Sequence, residues 1–257
     1  MLAYINLENE KKWCYWNQIN RSFIPVPFRK GLERLFAEKS VVPLMGRVKF
    51  FAPFGGSKIM AVGRNYKSHA KELGNQIPNE PLWFQKPPSS IVGNKGKVKL
   101  PKGFGRIDYE GELAIVIGRK SRQVPLQEAL KQIAGITLAL DITARDLQKS
   151  DGQWTRAKGF DTFCPLGPWI VPFQKEWQDV AIKTVLNGKI VQSDRTSSMV
   201  FGFAELIRHL SACMTLEPGD IILTGTPAGV GSLKEGDQLV VEAVGPSKLS
   251  LEVHCES

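Results

Sequence analysis

Residues 108–117 read DYEGELAIVI, a run that ends as an apolar strand and begins with two glutamates two positions apart. Successive strand side chains point to opposite faces, so Glu110 and Glu112 share one face while Gly111, Leu113, Ile115 and Ile117 share the other. At ~6 Å and an effective dielectric near ~20, two such carboxylates repel by about 3 kcal/mol, so a fold that keeps them together needs a counter-charge. A third acid stands in ITLALDITARD, where Asp141 shares a face with Thr137 and Ala139. Three carboxylates make an all-oxygen donor set, suited to Mg2+, Mn2+ or Ca2+ and poor for zinc. Spacing alone leaves a second reading open, since such a glutamate pair also occurs on solvated strand edges.

A second constellation is GRNYKSHAKELG at 63–74. Its composition predicts a helix over about 66–73 with Gly74 at the C-terminal stop. His69 and Glu72 lie three apart and share a helix face, where the carboxylate can orient or charge the imidazole. A surface ion pair would use the same spacing. The chain has three histidines. His209 falls in an amphipathic helical pattern and His254 near the C-terminus, which leaves His69 as the candidate base. TGTPAGVG at 224–231 reads as a tight turn, with no phosphate-loop lysine after it. GNQIPNEP at 74–81 reads as a surface loop that could close over a ligand.

The elements that must position these residues are mainly strands. KIMAVG, KVKL, GELAIVIG, ITLALDIT, PWIVPF, AIKTVLNGKIV, DIILTG and QLVVEAV all read as strand, and LNGK and KEGD as their turns. Helices are expected near 66–73, 126–133 and 201–213. Strands that outnumber helices in this way predict an α+β, sheet-rich fold instead of a regular parallel sheet. Residues 1–57 differ, with several aromatics, a Pro-rich connection FIPVPF and a helical candidate KGLERLFAE, and read as a small N-terminal subdomain preceding a unit at 58–257.

The 257 residues, 42% hydrophobic and 23% charged, make an ordinary globular composition. Cys14, Cys164, Cys213 and Cys255 are scattered and form no disulfide or zinc spacing, which fits a reducing cytoplasm. No apolar run approaches ~18 residues, and the charged start lacks a signal-peptide core, so neither a membrane span nor export is expected. The net charge of +9 favours anionic partners. Its even spread, without an RNA- or DNA-binding motif, argues for small carboxylic acids over nucleic acid.

Taken together, GRNY at 63–66, DYEGELAIVIGR at 108–119, DITARD at 141–146, KGFDTFCPLGPWIV at 158–171, LNG at 186–188 and TGTPAGVG resemble the fumarylacetoacetate hydrolase superfamily, from Lys58 to the C-terminus. The resemblance implies a mixed β-roll catalytic fold, usually homodimeric, with Mg2+ or Mn2+ on Glu110, Glu112 and Asp141. It is nearest to the acylpyruvase and oxaloacetate-processing branch, which implies catalytic roles for His69, Glu72, Gln148 and Lys158. Arg64 and Arg145 match basic substrate-binding positions, Thr226 matches a position that accepts a substrate carboxylate, and Lys86 is given an accessory role.

Such a site would chelate a 2-oxo acid and stabilise the charge that develops as an adjacent C–C bond breaks. Acylpyruvate hydrolysis, oxaloacetate decarboxylation and enol–keto tautomerisation all remain open on these residues. A noncatalytic anion- or nucleic-acid-binding protein is the reading from a different class, and the presence of His69, Glu72 and Lys158 argues against it.

Overall fold

The computed structural model describes residues 1–7, 10–17, 22–37 and 50–257. Two neighbouring strands carry the centre of the molecule. GELAIVI (Gly111–Ile117) and IAGITLAL (Ile133–Leu140) are buried along their whole length. They pair antiparallel, with Gly111 opposite Leu140 and Glu112 opposite Ala139. Their period-two alternation divides the interior. Leu113, Ile115, Ile117, Ile136 and Leu138 face one hydrophobic core. Ala114, Val116 and Ala139 face the other. Strands covered on both faces read as continuous apolar runs, as these two do.

Around them an eleven-stranded sheet runs from Ser22–Pro25 at one edge, through Glu10–Asn17, Leu2–Leu7, Cys164–Pro172, the two central strands, Ile221–Leu223 and Ile59–Gly63, to Leu82–Lys86 at the other edge, with Phe50–Phe51 and Ile91–Val92 pairing off this path. A five-stranded sheet, ordered Lys189–Arg195, Ala181–Leu186, Gln238–Val244, Lys248–Glu256 and Gly96–Lys99, lies over the first core. Its Leu239, Val241, Leu249 and Leu251 supply that core's second wall. The expected α+β, sheet-rich fold is the one observed.

The N-terminal segment covers the second core with Leu2 and Leu32. Leu2 also pairs with Ile170, so hydrogen bonding continues from the first strand into the large sheet. The helical candidate there forms as Phe28–Ala37. FIPVPF was expected as a connection, yet Ser22–Pro25 is a strand. It lies at the sheet edge, where a proline without an N–H is tolerated. Residues 38–49 of the expected subdomain lie outside the described residues.

Several strands have no counterpart in the expected set, among them Leu2–Leu7, Glu10–Asn17, Leu82–Lys86, Ile107–Tyr109 and Lys248–Glu256. The helix expected over 126–133 is Leu126–Ala129 followed by a 3-10 turn at Leu130–Gln132. Ile133 and Ala134 already belong to the buried sheet, where tertiary burial outweighs helical spacing.

Candidate active site

The acid cluster grows out of the central strand pair. The Asp141 N–H donates to the Glu110 carbonyl at 2.8 Å, carrying the ladder one step past Gly111 and Leu140. Asp141 therefore faces Glu110 across the sheet, and Glu112 lies one pleat further along the same face. One carboxylate oxygen from each of Glu110, Glu112 and Asp141 lies within 4.8 Å of the other two, and all three residues are buried. A solvated edge is thereby excluded.

Cations compensate two of the three acids. Lys158 Nζ donates to Glu110 Oε2 at 2.8 Å and to Asp141 Oδ2 at 2.6 Å. Lys86 Nζ donates to Asp141 Oδ1 at 2.6 Å and to the Lys158 carbonyl at 2.5 Å. Arg145 Nη2 donates to Glu110 Oε1 at 2.6 Å. Burial pushes the Glu110 carboxyl up, but Lys158 and Arg145 outweigh it and hold Glu110 below the usual range.

Among the described residues, Glu112 has only the Gly225 N–H, at 2.6 Å. Gly225 adopts a φ of 98°, a conformation that favours glycine at this turn. Burial, with Asp141 and Glu110 beside it, pushes the Glu112 carboxyl well above its usual range. Among the described residues Glu112 thus has no ion-pair partner while it faces two acids that do, and the three carboxylates form a donor set that a hard divalent cation fits.

Glu110, Glu112 and Lys158 border a cavity of about 640 Å³, whose wall also includes Arg64, His69, Glu72, Arg145, Gln148 and Thr226. Every expected site residue except Asp141 and the accessory Lys86 lines this space, and Asp141 stands behind it, bonded to Lys158 and Lys86. His69 sits on the Lys67–Glu72 helix, which ends as expected: Gly74 has φ 66°, with its N–H on the Lys71 carbonyl and that of Asn75 on the Ala70 carbonyl. His69 is buried, and burial lowers the imidazole's pKa against the opposing pull of Glu110.

The pairing with Glu72 is looser than expected. His69 Nδ1 lies 3.5 Å from Glu72 Oε2 and makes no hydrogen bond. Glu72 instead accepts the Gly229 N–H at 3.0 and 3.1 Å, tying this helix to the TGTPAGVG turn.

Two further expectations change in detail. The Thr226 hydroxyl accepts from Gln192 Nε2 at 2.8 Å and donates to the Gly111 carbonyl at 3.0 Å, so its proton is committed to the scaffold and not aimed at a ligand. Lys86, given an accessory role, is fully buried and bonded directly to an acid of the cluster.

Asp108, Gln192 and Trp154 were not among the expected residues. Gln192 is buried, accepts the Gly111 N–H at 3.0 Å and thereby braces the backbone between the two glutamates. Asp108 is buried and receives Arg106 Nε at 2.6 Å and Arg145 Nε at 2.9 Å. It fixes the guanidinium that reaches Glu110 and, at 2.5 Å, Gln148 Oε1. The signal for Asp108 was present, since it shares the parity of Glu110 and Glu112. Asp108→Asn should leave Arg145 half-paired in a buried place, costing about 2–4 kcal/mol and lowering the melting temperature by roughly 5–10 °C in a thermal scan.

The sheet-rich α+β fold holds this cavity of converging acids and cations at the end of its central strand pair. Residues 58–254 match the family model described as fumarylacetoacetate (FAA) hydrolase C-terminal, and the chain belongs to that family. It is 46% identical over 187 residues to the oxaloacetate decarboxylase, mitochondrial, of Dictyostelium discoideum, covering 70% of this chain and 86% of the relative. It is 43% identical over 204 residues to an oxaloacetate tautomerase, mitochondrial, of Arabidopsis thaliana, covering 77% and 91%. Among solved structures, the 5-carboxymethyl-2-hydroxymuconate delta-isomerase of Mycobacterium smegmatis superposes with a TM-score of 0.81 at 38% identity, over 100% of this chain and 99% of that one. No helix among the described residues is long and apolar enough to cross a membrane.

Proposed function

We propose that the chain is a divalent-metal-dependent enzyme that cleaves small 2-oxo acids, by acylpyruvate C–C hydrolysis, oxaloacetate decarboxylation or both. The observation that carries this reading is the unneutralised Glu112 beside Glu110 and Asp141, opening onto a cavity that also holds a buried lysine and a buried histidine. Glu110, Glu112 and Asp141 are the residues proposed to hold Mg2+ or Mn2+. Such a cation would draw electrons from the 2-oxo group and offset negative charge developing on its oxygen.

The chain's own groups do the rest in this reading. The Asp141 and Glu110 carboxylates raise the Lys158 pKa against its burial, so its ammonium adds positive charge at the same place. His69 is neutral at pH 7 and takes a proton from water or substrate. Glu72 holds the His69 helix against the turn at Gly229. Arg145, positioned by Asp108, holds Gln148 toward the substrate. Because burial lowers the His69 pKa, the base stays unprotonated to lower pH. The acid limb of kcat/KM is therefore expected below the ordinary histidine value of about 6.5 in a pH–rate profile.

Assays of the purified protein with Mg2+ or Mn2+ against acetylpyruvate, fumarylpyruvate and both keto and enol oxaloacetate test the reading. No turnover of any of them would reject it. Tautomerisation is the second reading, supported by the relative named an oxaloacetate tautomerase. Conversion of enol to keto oxaloacetate without release of carbon dioxide would establish it.

The catalytic unit in this proposal runs from residue 58, with residues 1–57 as a small appended subdomain. Four free cysteines support a reducing compartment, with the cytoplasm proposed. The homodimer expected from the family is checked by light scattering.

A further inference from the structure

The strand that carries Glu112 loses one of its neighbours where the acids begin. On one side, Gly111–Ile117 pairs with Ile133–Leu140 from end to end. On the other, its pairing with Ile221–Leu223 covers only Ala114–Val116. The Glu110 carbonyl accepts the Asp141 N–H on the fully paired side, so strand alternation turns the N–H and C=O of Gly111 the other way, past the end of Ile221–Leu223. Buried backbone groups in that position need partners from elsewhere.

Two side chains supply them. The Gly111 N–H donates to Gln192 Oε1 at 3.0 Å, Gln192 Nε2 donates to the Thr226 hydroxyl at 2.8 Å, and that hydroxyl donates to the Gly111 carbonyl at 3.0 Å. These bonds close a ring. The second Nε2 hydrogen goes to the Pro227 carbonyl at 2.8 Å. Turned over, the amide would set its NH2 against the Gly111 N–H and its oxygen against the Pro227 carbonyl, so only one orientation satisfies every group.

The ring joins the two backbone segments that hold the glutamates. Gly111 stands between Glu110 and Glu112, and Thr226 follows Gly225, whose N–H is bonded to Glu112 Oε2 at 2.6 Å. Three buried acids repel one another and tend to spread, and a backbone clamped on both sides of Glu112 opposes that. Gln192 is buried and does not lie on the cavity wall, so it acts only through the groups it holds. Residues that orient metal ligands from behind change metal affinity by roughly 10–100-fold when replaced.

We propose that Gln192 is a positioning residue that sets the affinity of the acid cluster for its divalent cation, by clamping the Gly111 peptide groups to the turn that holds Glu112. The inference rests on the metal-dependent reading above and assigns a role to a side chain outside the cavity.

Calorimetric titration of Mg2+ into the full chain tests it. Gln192→Met keeps the length of the side chain and removes every bond of the amide, and is expected to raise the Mg2+ Kd about tenfold or more. Gln192→Asn, an amide too short to span the ring, should weaken binding in the same direction and serves if the methionine variant does not fold. Thr196→Val separates positioning from loss of stability. Thr196 is buried just beyond the same strand and bonds the Val180 N–H and the Trp177 carbonyl, both at 2.9 Å, without reaching Gly111. Its replacement should lower the melting temperature and leave the Mg2+ Kd at the wild-type value. Wild-type affinity in the folded Gln192 variants, or an equal loss in Thr196→Val, would overturn the positioning role alone. A wild type that binds neither Mg2+ nor Mn2+ would overturn the metal-dependent reading, and this role with it.

Discussion

Replacement of Glu112 by glutamine is expected to abolish turnover while making the ion-free protein more stable. The two effects share one cause. Glu112 is buried with a single N–H partner, beside two acids whose charges Lys158, Lys86 and Arg145 already engage. A buried carboxylate without a cation costs more than a neutral amide of the same shape, which can still accept the Gly225 hydrogen bond. Glu112→Gln should therefore raise the stability of chelator-treated protein by about 1–3 kcal/mol.

The wild type should recover that stability and more when Mg2+ or Mn2+ is added, by about 2.7 kcal/mol at a hundredfold excess over Kd. The variant should gain little from either ion. Thermal unfolding with and without chelator, run beside an activity assay, reads both effects. Full activity of the variant in ion-free buffer would reject a metal role for this cluster. A variant less stable than wild type without ions would show that Glu112 is satisfied in a way its surroundings do not reveal.

The cluster was legible because its logic is local. Strand parity places Glu110 and Glu112 on one face, and the antiparallel register brings Asp141 opposite Glu110. The supporting residues were harder to see, because their roles depend on distant pairings. Lys86 ends an edge strand, LWFQK, with no strong alternation, and reaches Asp141 only after the sheet has formed. Gln192 lies in a hairpin strand whose other residues are exposed or half-buried, and it is buried because Gly111 has no side chain to keep it away.

The N-terminal aromatics carried a similar ambiguity. Their composition reads as a separate unit, while the pairing of Leu2 with Ile170 is a long-range contact that no local pattern encodes. Thr226 illustrates the limit for side-chain roles. Its place on the cavity wall followed from the family motif, whereas the direction of its hydroxyl proton depends on Gln192, thirty-four positions away.

His69→Ala is expected to cut acylpyruvate hydrolysis by roughly 10²-fold or more, the usual scale for losing a general base, and to affect oxaloacetate decarboxylation less. The difference follows from what each bond cleavage requires. Hydrolysis needs a water molecule made nucleophilic, and His69 is the buried imidazole on the cavity wall, neutral because burial lowers its pKa. Decarboxylation needs only the charge that develops on the 2-oxo oxygen to be offset, and Lys158 remains in place after the imidazole is removed.

Glu72 separates two ways in which His69 could act. Its carboxylate lies 3.5 Å from Nδ1 but is bonded to the Gly229 N–H, so Glu72→Ala should disturb the position of the helix more than the basicity of the imidazole. Both reactions should then fall together in Glu72→Ala, while His69→Ala divides them. Steady-state kinetics of the wild type and both variants on both substrates, with spontaneous and metal-catalysed oxaloacetate decay subtracted, measures this. Equal losses in His69→Ala would replace the water-activating role with a positioning one, and unchanged rates in both reactions would remove His69 from the chemistry altogether.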